Sequence, residues 1–171
     1  MYKITHLHGL HQKESFDCGQ VALNLYLRNQ AGQDVRRSVS AVFALTDKNG
    51  FAVLGYYTLC STTIQIKDLP ANIAKKMPKY TLLPATLLGR LAIDQKHQGQ
   101  GLGRYLLFNA FERAFYSTRD VGSIGLVVNA KDEAAIYFYT KNNFVAYPES
   151  RDQLFLPMSS IERVILFDNP S

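Results

Sequence analysis

The sequence predicts an α/β protein of the mixed α+β kind, with strands and helices interleaved along a single domain spanning residues 1–171. Three observations lead there. Runs rich in β-branched and aromatic residues, "FAVLGYYTLC" and "SIGLVVNA" among them, read as strands. Between them lie segments in which apolar residues recur at helical spacing. The chain has 171 residues, 47% hydrophobic and 19% charged, which suits one compact domain that buries a real core.

The elements follow in order. "CGQVALNLYLRNQA", Cys18 to Ala31, sets Val21, Leu25 and Leu27 at near-helical spacing behind Asp17, a candidate N-cap, and so predicts an early helix. "SVSAVFALTD" and "FAVLGYYTLC", separated by Lys48, Asn49 and Gly50, predict an antiparallel hairpin. A short loop or helix is expected around Leu69 to Met77, between Pro70 and Pro78. "LLPATLLGRLAID" then predicts a strand that enters a glycine cluster, and Leu102, Leu106, Ala110 and Ala114 recur four apart beyond it, predicting a helix. "SIGLVVNA" predicts a second buried strand and "DEAAIYFYTKN" a second helix, with Ala135, Phe138 and Tyr139 on adjacent turns. Two short strands, around Phe144 to Ala146 and Glu162 to Phe167, are expected to close the chain. No repeat, low-complexity tract or internal linker interrupts it.

Composition excludes several function classes. Nothing near the N-terminus resembles a signal peptide, and no apolar run approaches the roughly 18 residues of a membrane span, so a soluble, cytoplasmic protein without a membrane partner is expected. Cys18 and Cys60 fit neither a disulfide framework nor a metal-site spacing. His6, His8 and His11 crowd the N-terminus without cysteine companions; they read as a solvated segment, and no metal is expected. The net charge of +5 is polarised. Residues 75–119 hold eight basic side chains against two acidic ones, net +6, whereas residues 120–171 hold four against seven, net −3. A basic side of this kind suits a polyanionic partner, and equally a surface of scattered solvated lysines.

The glycine cluster carries the chemistry. A strand that runs through glycines into a helix aims backbone N–H groups and the positive end of the helix dipole at one spot, which favours phosphate. The spacing is Gln98-x-x-Gly101-x-Gly103, with an extra Gly99. It lacks the Lys-Ser/Thr end of a P-loop and does not match the Gly-x-Gly-x-x-Gly of a dinucleotide fold.

That spacing, placed after "LGRLAID" and before an amphipathic helix, resembles the acyl-CoA pyrophosphate loop of the GNAT acetyltransferases. The element order and the Phe138-Tyr139 pair agree with it. More narrowly, "FDCG", "LRNQAGQD", "GYYTL", "LGRLAID", "NAKDEAA" and the late "LPM" resemble the toxin branch whose members acetylate the amino group of aminoacyl-tRNA. The likeness runs from about Phe16 to Leu166. One departure is Asn143, where the branch has glycine; asparagine is the next best residue for a left-handed cap.

The resemblance implies the GNAT acyltransferase fold, a central mixed β-sheet flanked by helices, with acetyl-CoA as cofactor. It implies a cofactor loop of Gln98, Gly99, Gln100, Gly101, Leu102, Gly103 and Arg104, with Leu91 and Ile93 offering backbone groups to the pantetheine arm. Asn129, Asp132 and Phe138 are further candidates for the cofactor wall, and each could equally be a cap or core residue. It also assigns proton donation to the departing thiolate to Tyr139. A phenol of pKa about 10 remains protonated at neutral pH and can serve a thiol of pKa about 8.5. On spacing alone Tyr139 reads as a core aromatic, and Tyr137 is its nearest rival.

The strand before the loop offers no glutamate as a base, and only Asp94 is close. A lysine amine of pKa about 10.4 would need one; an α-amino group at about 7.7 to 8.0, lowered further by an adjacent ester, would not. This favours an aminoacyl ester over a protein lysine as acceptor, although a water chain could do the work of the missing base. Arg36, Arg37, Lys79, Arg90 and Lys96 are the candidate tRNA phosphate contacts, with Arg90 facing either the site or an internal carboxylate. The resemblance further implies a small DNA-binding antitoxin of ribbon-helix-helix type and a homodimer. The alternatives are an acetyltransferase for a small-molecule amine, peptide or protein N-terminus, and a non-enzymatic module that binds acyl-CoA or nucleic acid.

Overall fold

The computed structural model describes residues 1–167. Its elements are β1 (Lys3–His6), α1 (Val21–Leu25), a π turn (Tyr26–Gln30), α2 (Ala31–Arg36), β2 (Ala41–Thr46), β3 (Val53–Gln65), α3 (Ala71–Ala74), β4 (Leu82–Ile93), α4 (Leu102–Ser117), β5 (Gly125–Asn129), α5 (Glu133–Lys141), β6 (Val145–Tyr147), β7 (Ser150–Pro157) and α6 (Met158–Phe167). The strands form one mixed seven-stranded sheet in the order β1-β2-β3-β4-β5-β7-β6. β1–β2, β2–β3, β5–β7 and β6–β7 pair antiparallel, whereas β4 and β5 run parallel, in register at Thr86↔Leu126 and Leu87↔Val127. Residues cluster into two compact units: Met1–Cys60 with Leu88–Ala110, and Ser61–Leu87 with the described residues from Phe111 on. Each unit is discontinuous in sequence.

In the first unit, Phe16, Leu27, Val42, Ala44, Tyr56 and Ala92 share one core. The β2–β3 hairpin closes as expected: Asp47 Oδ1 accepts from the Asn49 and Gly50 amides, and Gly50 takes φ +80°. Leu102, Leu106 and Ala110 of α4 are buried, as their four-residue recurrence predicts.

Three expectations need correction here. The early helix is not continuous, because the π turn inserts a wider loop of backbone and rotates the faces that follow. Val21 and Leu25 are consequently exposed at 72% and 46%, while Tyr26, Leu27 and Ala31 carry the buried face. Asp17 is not the helix cap: Gln20 holds that position without a side-chain bond, and the Asp17 carboxylate accepts from the Gly19 amide and Asn24 Nδ2 instead. The N-terminal histidine tract is not simply a solvated segment. β1 pairs with β2, His6 packs on Phe43, and His11 is buried in a stack with His8.

The second unit has its own core of Ile64, Leu69, Ile73, Ala85, Val127, Tyr147 and Phe155. β5 pairs with β7 from Gly125↔Pro157 to Asn129↔Gln153. A side chain at Gly125 would run into the Leu156 carbonyl and the Phe155 ring, so glycine is the residue that lets this ladder close. The segment Glu162 to Phe167 is helical, not the expected strand. It belongs to α6, whose Ile161 and Ile165 are buried four residues apart. The closing strand is β7, which sequence periodicity did not reveal; its first four residues are polar or lie near the surface. No helix among the described residues is long and apolar enough to cross a membrane.

Candidate active site

In the first unit, the strand–loop–helix segment is assembled from residues that satisfy one another. β4 ends at Ile93, and the Asp94 amide donates to the Leu54 carbonyl at 2.8 Å. Asp94 is buried and uses both carboxylate oxygens: Oδ1 accepts from the Lys96 amide at 2.9 Å and Oδ2 from the Asp17 amide at 3.0 Å. It acts as a cap that ties the loop to the segment around Asp17. Gln98 is likewise committed, for Nε2 donates to the Ile93 carbonyl at 2.9 Å and the Cys18 carbonyl at 3.1 Å. Its side chain clamps the loop to β4 and to the segment Phe16 to Gly19.

That segment is the feature sequence reasoning underread. The "FDCG" string appeared only as a family likeness, yet its residues brace the glycine loop. The Gln95 amide donates to the Asp17 carbonyl at 2.8 Å, and the Cys18 amide donates to Asn24 Oδ1 at 2.9 Å. Gly19 has φ +86°, and a Cβ there would lie 2.6 Å from Gln95 Nε2. The available signal was Asp and Gly flanking a cysteine, a pairing that favours tight side-chain-to-backbone turns.

Beyond Gln98 the chain offers open backbone. Gly99 and Gly101 have φ +76° and +79°, and a Cβ on either would meet nothing within 4 Å. Both therefore sit in the left-handed region, facing free space. Gly103, by contrast, lies in the first turn of α4. The Tyr105 amide donates to the Gly101 carbonyl at 3.1 Å, so the amides of Leu102, Gly103 and Arg104 precede the first helical bond and have no acceptor within the helix. Unused donors at the N-terminus of a 16-residue helix, beside two side-chain-free residues, fit a diphosphate. Leu91 and Ile93 lie on β4 past its short register with β5.

In the second unit, β5 ends at the exposed Asn129, and α5 begins four residues later. Asp132 caps α5, with Oδ1 accepting from the Ala135 amide at 2.8 Å. At the other end, the Asn143 amide donates to the Thr140 carbonyl and the Phe144 amide to the Tyr139 carbonyl, both at 3.1 Å, with Asn143 at φ +73°. This is a Schellman motif with asparagine in the left-handed position, and it brings Phe144 back onto Tyr139 with ring centroids 5.2 Å apart. Phe138 contacts the other side of Tyr139 at 5.1 Å.

Tyr139 is thus held by its neighbours' rings. It is 8% exposed, and burial alone raises its pKa well above that of an ordinary phenol. Its hydroxyl has no hydrogen-bond partner among the described residues, yet it is not one of the polar atoms sealed from solvent. Tyr137, the rival, is 68% exposed, with Lys141 Nζ 5.9 Å from its ring.

The cationic candidates separate by environment. Arg36, Arg37 and Lys96 in the first unit are exposed, as is Lys79 in the second. Arg90 is half-buried, with its guanidinium 3.5 Å from the centroid of the Tyr26 ring. The Tyr26 hydroxyl donates to Asp34 Oδ2 at 2.8 Å, while Gln30 Nε2 donates to Oδ1 at 2.9 Å. These two bonds are the main reasons the Asp34 carboxyl titrates below its usual range, and Arg90 and Arg37 add to the effect.

The acetyltransferase (GNAT) domain signature matches residues 42–146. The tRNA-acetylating toxin of Mycobacterium tuberculosis is 33% identical over 151 residues, covering 88% of this chain and 89% of that protein. Among solved structures, the toxin AtaT complexed with acetyl-methionyl-tRNAfMet superposes with TM-score 0.88 at 35% identity, over 96% of this chain and 99% of that one. A tyrosine-to-phenylalanine variant of AtaT, bound to the C-terminus of the antitoxin AtaR and to acetyl-CoA, gives TM-score 0.82 at 31% identity, covering 96% and 98%.

Proposed function

The chain belongs to the GNAT acetyltransferases, within their toxin branch, and from that premise we propose that it moves an acetyl group from acetyl-CoA to the α-amino group of an aminoacyl-tRNA, blocking translation. The observation that carries the choice of acceptor is Asp94. Each of its oxygens accepts a backbone N–H bond, which fits a structural cap better than a base for a lysine-like amine. An α-amino group beside an ester supplies its own neutral fraction near pH 7 to 8, about where its pKa lies.

The roles follow from the residues. Gly99, Gln100, Gly101 and the amides of Leu102, Gly103 and Arg104 hold the pyrophosphate, with Gln98 fixing the loop's shape. Leu91 and Ile93 pair through their backbone with the pantetheine arm, as an added strand does. Asn129 and Phe138 line the acyl end, and Asp132 contributes by fixing the start of α5. As the amine nitrogen bonds to the acetyl carbon, the bond from that carbon to sulfur breaks, and Tyr139 gives its proton to the departing sulfur. The proton released by the amine passes to solvent, and solvent returns one to the Tyr139 phenolate. Arg36, Arg37, Lys79, Arg90 and Lys96 meet tRNA phosphates.

Residues 1–171 act as one acetyltransferase domain, since the family signature draws on both compact units. The partners are aminoacyl-tRNA, a second copy of the chain, and a small antitoxin of ribbon-helix-helix type, all met in the cytoplasm. The AtaT structure with the C-terminus of AtaR supports the antitoxin part of this reading.

Single-turnover assays with radiolabelled acetyl-CoA test it. Charged tRNA should be acetylated at its α-amino group, whereas free amines, peptides and protein N-termini should react far more slowly. Faster acetylation of a bare amine or peptide than of charged tRNA would refute the assignment.

A further inference from the structure

A second group of unpaired polar atoms lies wholly within the second unit. There a pocket of about 240 Å³ is lined by Asp68, Asn129, Tyr147 and Gln153, with Leu87 and Val127 among its apolar walls. Tyr147 is 9% exposed and its hydroxyl has no hydrogen-bond partner among the described residues, yet it is not sealed from solvent. A hydroxyl left this way is free to bond to a ligand that enters the pocket. The half-buried Asp68 carboxylate also lacks any hydrogen bond or ion pair with a described residue. It lies close enough to Tyr147 to help burial push that phenol's pKa up to about 12. A chain of net charge +5 therefore keeps an unneutralised acid at the wall of a pocket.

The pocket adjoins the chain that leads into α5. Asn129 is the last residue of β5, and the chain passes from it directly into α5, which carries Tyr139. Ligands of open α/β sheets collect at the carboxyl ends of strands. The walls combine an apolar stretch, which suits methylene groups, with a carboxylate and a phenol, which suit a cationic donor. We propose that this pocket receives the amino-acid side chain of the acceptor, and that the side chain is an aliphatic stem ending in a cation, the lysyl or arginyl class. The inference rests on the aminoacyl-tRNA reading above and deepens it. Its chemistry is self-consistent, because an ε-ammonium of pKa about 10.4 stays charged at pH 7.5 and is held by Asp68, while the α-amino group supplies the neutral nucleophile.

The test compares kcat/KM of the full chain for lysyl-, arginyl- and methionyl-tRNA, in the wild type and in Asp68→Asn and Tyr147→Phe. The wild type should favour lysyl- and arginyl- over methionyl-tRNA by about 10- to 100-fold, the value of a hydrogen bond to a charged group. Asp68→Asn should bring that ratio close to one, and Tyr147→Phe should lower it less. A wild-type ratio of one or below, or a ratio unmoved by Asp68→Asn, would overturn the inference while leaving the acetyltransferase assignment intact. Titrating lysine methyl ester against norleucine methyl ester by NMR judges the pocket independently of turnover. Tighter binding of the lysine ester, lost in Asp68→Asn, supports it; equal binding refutes it. Should the wild type acetylate no charged tRNA, the functional reading fails, and the two esters still decide whether the pocket recognises a cation.

Discussion

Replacing Tyr139 with phenylalanine separates a proton donor from a packing residue, because the two roles predict opposite patterns of stability and rate. The ring is fixed by Phe138 and Phe144 at 5.1 and 5.2 Å, and those contacts survive the change. The hydroxyl contributes no hydrogen bond among the described residues, so removing it takes no such bond from the fold. Tm should therefore stay level; for a domain of this size about 1 kcal/mol moves it by roughly 2 to 4 °C. Turnover should fall by about 10²- to 10⁴-fold, or roughly 2.7 to 5.4 kcal/mol of barrier. The measurement pairs single-turnover acetylation of charged tRNA with thermal melts and acetyl-CoA titration of both proteins. The pH profile adds a second check. Burial raises the Tyr139 pKa, so the donor form persists well into the alkaline range, and the rate should climb as the α-amino group loses its proton and show no descending limb near pH 10, the ordinary phenol value. A variant with near wild-type rate, or one that melts early in proportion to its lost activity, would refute the donor role.

Three further outcomes follow from the geometry. Gly101→Val should abolish acetyl-CoA binding in calorimetry while the protein stays folded, since a β-branched residue at φ +79° is strained by about 1 to 2 kcal/mol and would fill the free space before the helix; unchanged affinity would remove the loop from the cofactor site. Asn143→Val should break the Schellman motif, lowering stability by about 1 to 2 kcal/mol in urea and slowing turnover through a displaced Tyr139, whereas Asn143→Gly should keep both. Reversing Arg36, Arg37 and Lys96 together should weaken tRNA binding and lower the slope of log K against log salt by about 2, at roughly 0.7 to 0.9 per phosphate contact, with acetyl-CoA affinity kept; a wild-type slope would mean these cations are only solvated.

What sequence alone could reveal divides along physical lines. Strands and helices with sustained periodicity were legible: the β2–β3 hairpin with its Gly50 turn, the four-residue recurrence of α4, and the strand–loop–helix around Gly101. Elements whose identity depends on tertiary packing were not. The π turn leaves no periodic mark, so Val21 and Leu25 looked like a core face when the buried residues are Tyr26 and Leu27. "ERVILF" carries β-branched residues that suit a strand, and only the packing of Ile161 and Ile165 makes it a helix. The loop's residues could be named from their spacing, but the brace behind it could not, because Asp17, Cys18 and Gly19 meet Asp94, Gln95 and Gln98 across some 77 to 80 positions of sequence.

The distribution of satisfied and unsatisfied groups gives these observations a common cause. Where the chain must hold shape, its polar atoms bond to each other: Asp94 uses both oxygens, Gln98 gives both donated bonds to carbonyls, and Asp34 accepts from Tyr26 and Gln30. Such networks are rigid because breaking one member leaves another buried without a partner. The exceptions among the described residues include His97 Nδ1, buried without a partner, together with the amides at the start of α4, the Tyr139 hydroxyl, and Asp68 with Tyr147 at the pocket. His97 has no part in the proposed reaction, whereas the other three have the chemistry of its parts: donors for a diphosphate, an acid for a thiolate, and an acceptor for a cationic side chain. Ligands that bond to all three would supply the missing partners, so acetyl-CoA and a lysyl or arginyl acceptor together should stabilise the fold more than either alone.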